Sequence, residues 1–199
     1  MKVTIRGFHG TLASRAESIR KSGIYPSDNR DDWLGDGTYF FIDGLDDPWT
    51  SASQWARCKA WDKVEGEFDE QHVAVIEAAI SVDGSRVRDL REPEQCRAFH
   101  RARRRWLKEQ VPGGSMGRER PDETSFDTDF VEHFRAQHGV DVVVGDFYIQ
   151  LSLRERHFRL DSRIPNVSVL CVAPSPEAEV EILEIQVVPA TSFLENGTD

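Results

Sequence analysis

Strand-like runs that recur at irregular intervals constrain this chain more than any other feature of its sequence. β-branched and aromatic residues concentrate at 3–8, at 38–42 (Thr-Tyr-Phe-Phe-Ile, entered through two glycines), at 72–82, 140–144, 148–154, 167–173 and 180–188. Such runs suit a pleated, half-buried or buried surface. Helical spacing of apolar residues falls at about 12–22, 51–64, 92–110 and 130–137, with Thr11 or Ser14 as the cap of the first and Gly23 as its stop. Six or seven strands with three or four helices, and no helix after each strand, exclude a doubly wound parallel sheet. The expectation is an α+β domain with mixed or antiparallel sheets.

A length of 199 residues fits one such domain, 1–199. The segment 85–135 reads as a less typical insertion, with 111–127 a Pro-, Gly- and charge-rich loop and the tail after Val188 a frayed end. No stretch reaches the roughly 20 apolar residues that span a bilayer, and MKVTIRGFHG lacks the apolar core of a signal peptide. Cys58, Cys96 and Cys171 complete neither a disulfide framework nor a CxxC site. A cytoplasmic, reducing location is the expectation. No His/Cys/Asp cluster has metal-ligand spacing, so no metal is expected.

Two short segments carry the functional reading. Phe8-His9-Gly10-Thr11 ends one predicted strand and leads into a helix. Trp33-Leu34-Gly35-Asp36-Gly37-Thr38-Tyr39-Phe40-Phe41 enters the next strand about 30 residues later. In this order, followed by a helix with Ala52, Trp55 and Ala56, they resemble the NAD⁺-binding core of the diphtheria-toxin-like and poly(ADP-ribose) polymerase-like (H-Y-E) branch of ADP-ribosyltransferases. The likeness covers residues 7–60 well, the C-terminal strands weakly and 85–135 not at all.

The resemblance implies two small sheets with flanking helices around an NAD⁺-binding cleft. It further implies that NAD⁺ is a co-substrate whose ADP-ribose is moved to an acceptor. His9 would hydrogen-bond a ribose, Gly10 would clamp the nicotinamide carboxamide through its main chain, and Tyr39 would offer a ring face for stacking. Thr11, Gly37 and Phe40 belong to the same implied NAD⁺-binding set.

The family's third element is an acidic residue on a late strand, which orients the nicotinamide ribose while its glycosidic bond breaks. The segment Tyr148-Ile-Gln-Leu-Ser-Leu-Arg154 is the candidate strand; its alternation sets Gln150, Ser152 and Arg154 on a polar face. Gln150 is therefore placed third, with Glu155 ranked second. A glutamine accepts a ribose hydroxyl's hydrogen bond but adds no negative charge. In the family that departure accompanies mono- rather than poly-ADP-ribosylation. The arginine-specific branch wants Glu-x-Glu where this chain reads Gln150-Leu151-Ser152, and a two-histidine phosphodiesterase wants two His-x-Ser/Thr motifs where His9-Gly10-Thr11 stands alone. A non-catalytic NAD⁺ or ADP-ribose binding module and an NAD⁺ glycohydrolase remain as alternatives.

A net charge of −10 argues against general polyanion binding, yet six Lys or Arg residues and no carboxylate lie between Arg97 and Lys108. Arg101, Arg103, Arg104 and Arg105 suit the phosphates of a nucleic-acid acceptor, with Phe99 and Trp106 for base contact, or the pyrophosphate of NAD⁺. The other expected acceptor is a protein. Small bacterial members of the family often act as toxins in toxin–antitoxin or phage-defence systems, which implies an antitoxin partner.

Overall fold

Alternating side chains along Lys2–Leu12 (β1) and His72–Asp83 (β5) let the two strands pair antiparallel without a break, from Lys2 opposite Asp83 to Leu12 opposite Val73. The computed structural model describes residues 1–26, 34–62, 64–110 and 123–191, with the backbone alone at 110 and 123–126. Between β1 and β5 come α1 (Ala13–Ser22), β2 (Thr38–Ile42), α2 (Pro48–Ala60) and a short hairpin, β3 (Trp61–Asp62) with β4 (Glu67–Phe68). After β5 follow β6 (Val87–Asp89), α3 (Pro93–Gln110), α4 (Glu123–His138), β7 (Val142–Phe147), α5 (Leu153–Phe158), β8 (Val167–Val172) and β9 (Glu179–Pro189).

Seven strands form one sheet in the order β6-β7-β8-β2-β1-β5-β9, antiparallel except for β6 beside β7. The α+β class holds. In place of two separate sheets there is a single ladder with a thin centre: β1 and β2 are joined at Phe8 opposite Phe41 alone, whereas β2 pairs with β8 at every one of its residues.

The sheet is packed on both faces. Phe8, Phe41, Val75, Val143, Val169 and Cys171 meet Phe99 and Trp106 of α3 and Phe130 and Phe134 of α4. Phe99 packs edge-on against Phe130 and Phe134 at centroid separations of 4.9 and 5.0 Å, the arrangement that aromatic quadrupoles favour. The buried residues of the second cluster come from strands alone: Phe40 and Ile42 of β2, Ala78, Ile80 and Val82 of β5, Val142 and Val144 of β7, Leu170 and Val172 of β8. Each such side chain withdrawn from water contributes roughly 1.5–3 kcal/mol, so both halves of the sheet are bound to a common interior.

Local signals explain the helix ends. The Asp47 carboxylate accepts from the Thr50 amide at 2.7 Å and Pro48 occupies the first turn, so α2 starts ahead of the expected residue 51. Gly23, at φ 79°, ends α1 as expected. Neither Thr11 nor Ser14 caps that helix: β1 runs on through Leu12, and the Ser14 hydroxyl is bonded to Glu70. The predicted loop 111–127 falls mostly outside the described residues, and α4 already begins at Glu123. None of the three cysteines is in a disulfide. Among the described residues no helix is long and apolar enough to cross a membrane.

Candidate functional site

His9 stands where β1 and β2 cease to pair. Its Nδ1–H donates to the Tyr39 main-chain carbonyl at 2.9 Å, so a side chain stands in for a ladder N–H across the junction. Burial pushes the imidazole pKa down, and the bond to Tyr39 only partly offsets this. The ring is therefore neutral at pH 7, and with Nδ1 as donor, Nε2 presents a lone pair. Phe40, fully buried, backs the ring edge-on at a centroid distance of 6.0 Å.

Tyr39 turns the other way. Its hydroxyl donates to the Gly35 carbonyl at 2.8 Å and accepts from the Leu34 amide at 2.9 Å, closing the turn that leads into β2. α4 braces that turn from outside. Buried Arg135 donates through Nη1 to the Asp36 carbonyl at 2.7 Å, and the Glu132 carboxylate accepts from the Asp36 amide at 2.9 Å. Gly37 is pressed against Val172, whose carbonyl oxygen would lie 2.4 Å from an added Cβ. Trp33, the first residue of the motif, lies outside the described residues.

Gly10 and Thr11 are in β1 itself rather than at a helix start. A Cβ on Gly10 would sit 1.9 Å from the Ala52 carbonyl oxygen, so α2 occupies the space that the glycine leaves open. Along β1, Gly10 lies opposite Val75 of β5, two residues beyond the Phe8–Phe41 pair that joins β1 to β2. On α2, the buried hydroxyls of Ser51 and Ser53 have no hydrogen-bond partner among the described residues. Buried hydroxyls are normally satisfied, so these two have capacity that a polar ligand can use. Ser51 shares a helix face with Trp55 and Cys58, at i, i+4 and i+7.

That face meets the segment expected to carry the third residue. The Cys58 thiol donates to the Leu151 carbonyl at 3.2 Å, and the Trp55 ring lies 4.8 Å from the Arg156 guanidinium. The segment itself is not the predicted strand. Residues 148–152 are irregular and lead into α5. Gln150 is held by its neighbours: its side-chain amide donates to the Leu160 carbonyl, and Arg156 Nε donates to its main-chain oxygen at 2.9 Å. The Gln150 amide oxygen is left as an acceptor. Glu155 accepts from the Ser152 amide and hydroxyl and from the Tyr148 hydroxyl at 2.8–3.0 Å. Burial works against its ionisation, but these bonds outweigh that and hold its carboxyl below the ordinary value.

The reason for the miss is physical. Ser152-x-x-Glu155 is a capping box, with both reciprocal bonds present, and it starts a helix where alternation alone reads a strand. That signal was available in the sequence.

The basic segment forms α3, as expected, but its aromatic residues do not face solvent. Phe99 and Trp106 are core, which removes them as base contacts. Arg103 is tied to Asp127 at 2.7 Å, while Arg101, Arg104 and Arg105 are exposed. An open surface groove of about 330 Å³ is lined by Arg101, Arg104, Arg105 and Lys108. Among the described residues no group of His, Cys, Asp and Glu side chains is placed to hold a metal ion. No protein-family model matches the chain, and no curated protein is similar to it at a significant level.

Proposed function

We propose that the chain is a mono-ADP-ribosyltransferase that cleaves NAD⁺ at the nicotinamide–ribose bond and passes ADP-ribose to a macromolecular acceptor. The observation that carries the reading is the bond from His9 Nδ1 to the Tyr39 carbonyl. It locks together the two residues that the family resemblance pairs, and leaves a neutral imidazole whose Nε2 is an acceptor next to Gly10 in the chain. A ribose hydroxyl donates to such a nitrogen; a carboxamide offers one donor and one acceptor edge to a main chain.

In the reaction the C1′–N bond of the nicotinamide ribose breaks and its electron pair leaves with nicotinamide. The positive charge of the nicotinamide ring passes to an oxocarbenium-like sugar. A lone pair of the acceptor then forms the new bond at C1′, and the acceptor's proton is lost to solvent. The Gln150 amide oxygen is the acceptor assigned to the ribose hydroxyl. It adds no charge to steady the cation, which suits single transfer and also supports the competing reading, a module that binds NAD⁺ without cleaving it.

NAD⁺ labelled in its adenylate phosphate, incubated with the protein and a cell extract, tests the reading. Label on a macromolecule together with free nicotinamide is the expected outcome, with both lost in His9→Ala. Nicotinamide release with free ADP-ribose as the sole labelled product would mean a glycohydrolase. Binding without nicotinamide release would mean the module.

A further inference from the structure

Of the six cations between Arg97 and Lys108, Arg103 alone points toward a carboxylate of α4. Arg97, Arg101, Arg104, Arg105 and Lys108 are exposed, and at i, i+4, i+7, i+8 and i+11 they fall within one stripe of α3. Opposite them Phe99, Ala102 and Trp106 fasten the helix to the core. Among the described residues none of the five makes an ion pair, in a chain with 35 Asp and Glu against 25 Lys and Arg. Acids are abundant, yet only Glu94 at its N-terminal end and Glu109, four residues after Arg105, bring negative charge to this stripe.

Like charges at i, i+4 destabilise a helix, and here Arg97 faces Arg101, Arg101 faces Arg105, and Arg104 faces Lys108. An anion laid along the stripe removes that repulsion. The stripe rises about 16 Å along the axis, which is a length for several successive phosphates rather than for one compact anion. Arginine dominates it, and a guanidinium grips phosphate oxygens two at a time. The apolar face of α3 is already buried, so the helix has nothing to insert into a bilayer. The net charge of −10 does not veto contact, because screening at physiological salt acts within about 8 Å.

We propose that the outer face of α3 is a binding site for the phosphodiester backbone of nucleic acid. Binding there needs no NAD⁺, so it stands or falls independently of the transferase reading.

Fluorescence anisotropy with labelled single-stranded DNA, single-stranded RNA and duplex DNA, over a salt series without NAD⁺, tests the site. Binding near ~10⁻⁶–10⁻⁴ M is expected for at least one of the three at physiological salt. Replacing Arg101, Arg104 and Lys108 by glutamine should weaken it at least about tenfold. For a single strand the slope of log affinity against log salt should become shallower by about 2, from ~0.7 per lost contact. A charge-matched control, Arg15→Gln with Arg20→Gln and Lys21→Gln on α1, should change affinity no more than about twofold. Equal losses in the two variants would overturn the site, as would a wild-type slope below about 1, which is measured without any variant. Capture by phosphatidylserine vesicles with no oligonucleotide binding would replace it with a membrane surface.

Discussion

The β1–β2 junction and the loop between β7 and α5, which the proposed function assigns to one site, are built by different forces. At the junction, His9, Gly10 and Tyr39 sit on strands whose neighbours are paired and whose side chains are buried on both faces. Polar groups there are tied to main-chain carbonyls, at 2.9 Å for His9 and 2.8 Å for Tyr39. In the loop, Gln150 is held through its main-chain oxygen by Arg156, and Glu155 through its carboxylate by Ser152, at a short helix with no buried residue. One region is therefore held rigidly and the other locally. In the proposed reaction the first would fix the NAD⁺ donor, and the second would close on the ribose where the bond breaks.

If that contrast is real, a change at the junction must act on the whole fold. Gly10→Ala is the strongest case. The new methyl would overlap the Ala52 carbonyl and also come 3.2 Å from the Ala56 amide. Both are backbone atoms of a helix, so no side chain can move aside, and α2 must lift from β1. A loss of about 3 kcal/mol is expected, the upper end for overpacking, read as a shift in the urea midpoint. Ala52→Gly should not rescue it, since the obstacle is main chain. A variant as stable as wild type would show that the junction yields and would end the comparison.

The same contrast decides what could be read in advance. Gly37-Thr38-Tyr39 was legible because period-2 strands and glycines at close approaches leave short-range marks, whereas His9 and Gly10, expected past the end of a strand at residue 8, lie within β1. The run Thr38–Ile42 became a strand in the expected place. The Tyr148–Arg154 strand failed because Ile149, Leu151 and Leu153 alternate across an irregular segment and the first residue of a helix, which Ser152 and Glu155 start. Alternation reports burial on one side, not ladder pairing. The bracing of the Gly35–Gly37 turn by Glu132 and Arg135 was not legible, since it joins residues about 100 positions apart through one buried guanidinium.

A smaller effect isolates the burial of His9. Its folded-state pKa lies below the ordinary 6.5, so between those two values the unfolded chain binds a proton that the native chain does not. Stability from this group is therefore constant above about pH 7 and falls as pH drops below 6.5, by at most ~1.4 kcal/mol per pH unit. His9→Gln carries no such proton. The stability difference between wild type and His9→Gln, from urea titrations at pH 7.5 and 5.5, should shift against the wild type at the lower pH. A difference that does not vary with pH would mean that His9 is open to water, and the junction would be no better enclosed than the loop.

The smallest effect belongs to the loop. Ser152→Ala removes the hydroxyl that accepts from the Glu155 amide at 3.1 Å and donates to its carboxylate at 2.8 Å. Losing such a cap costs about 1 kcal/mol, but α5 buries none of its residues, so the cost falls on the helix and not on the core. Amide exchange should accelerate at Glu155, Arg156 and Leu160, whose N–H groups are bonded within this turn. The global urea midpoint should move by less than the cap's full value. Arg156, which holds the Gln150 carbonyl and lies over Trp55, connects that turn to α2. If the global midpoint falls as far as in Gly10→Ala, the connection is stiff, and Gln150 is held as firmly as His9 and Tyr39.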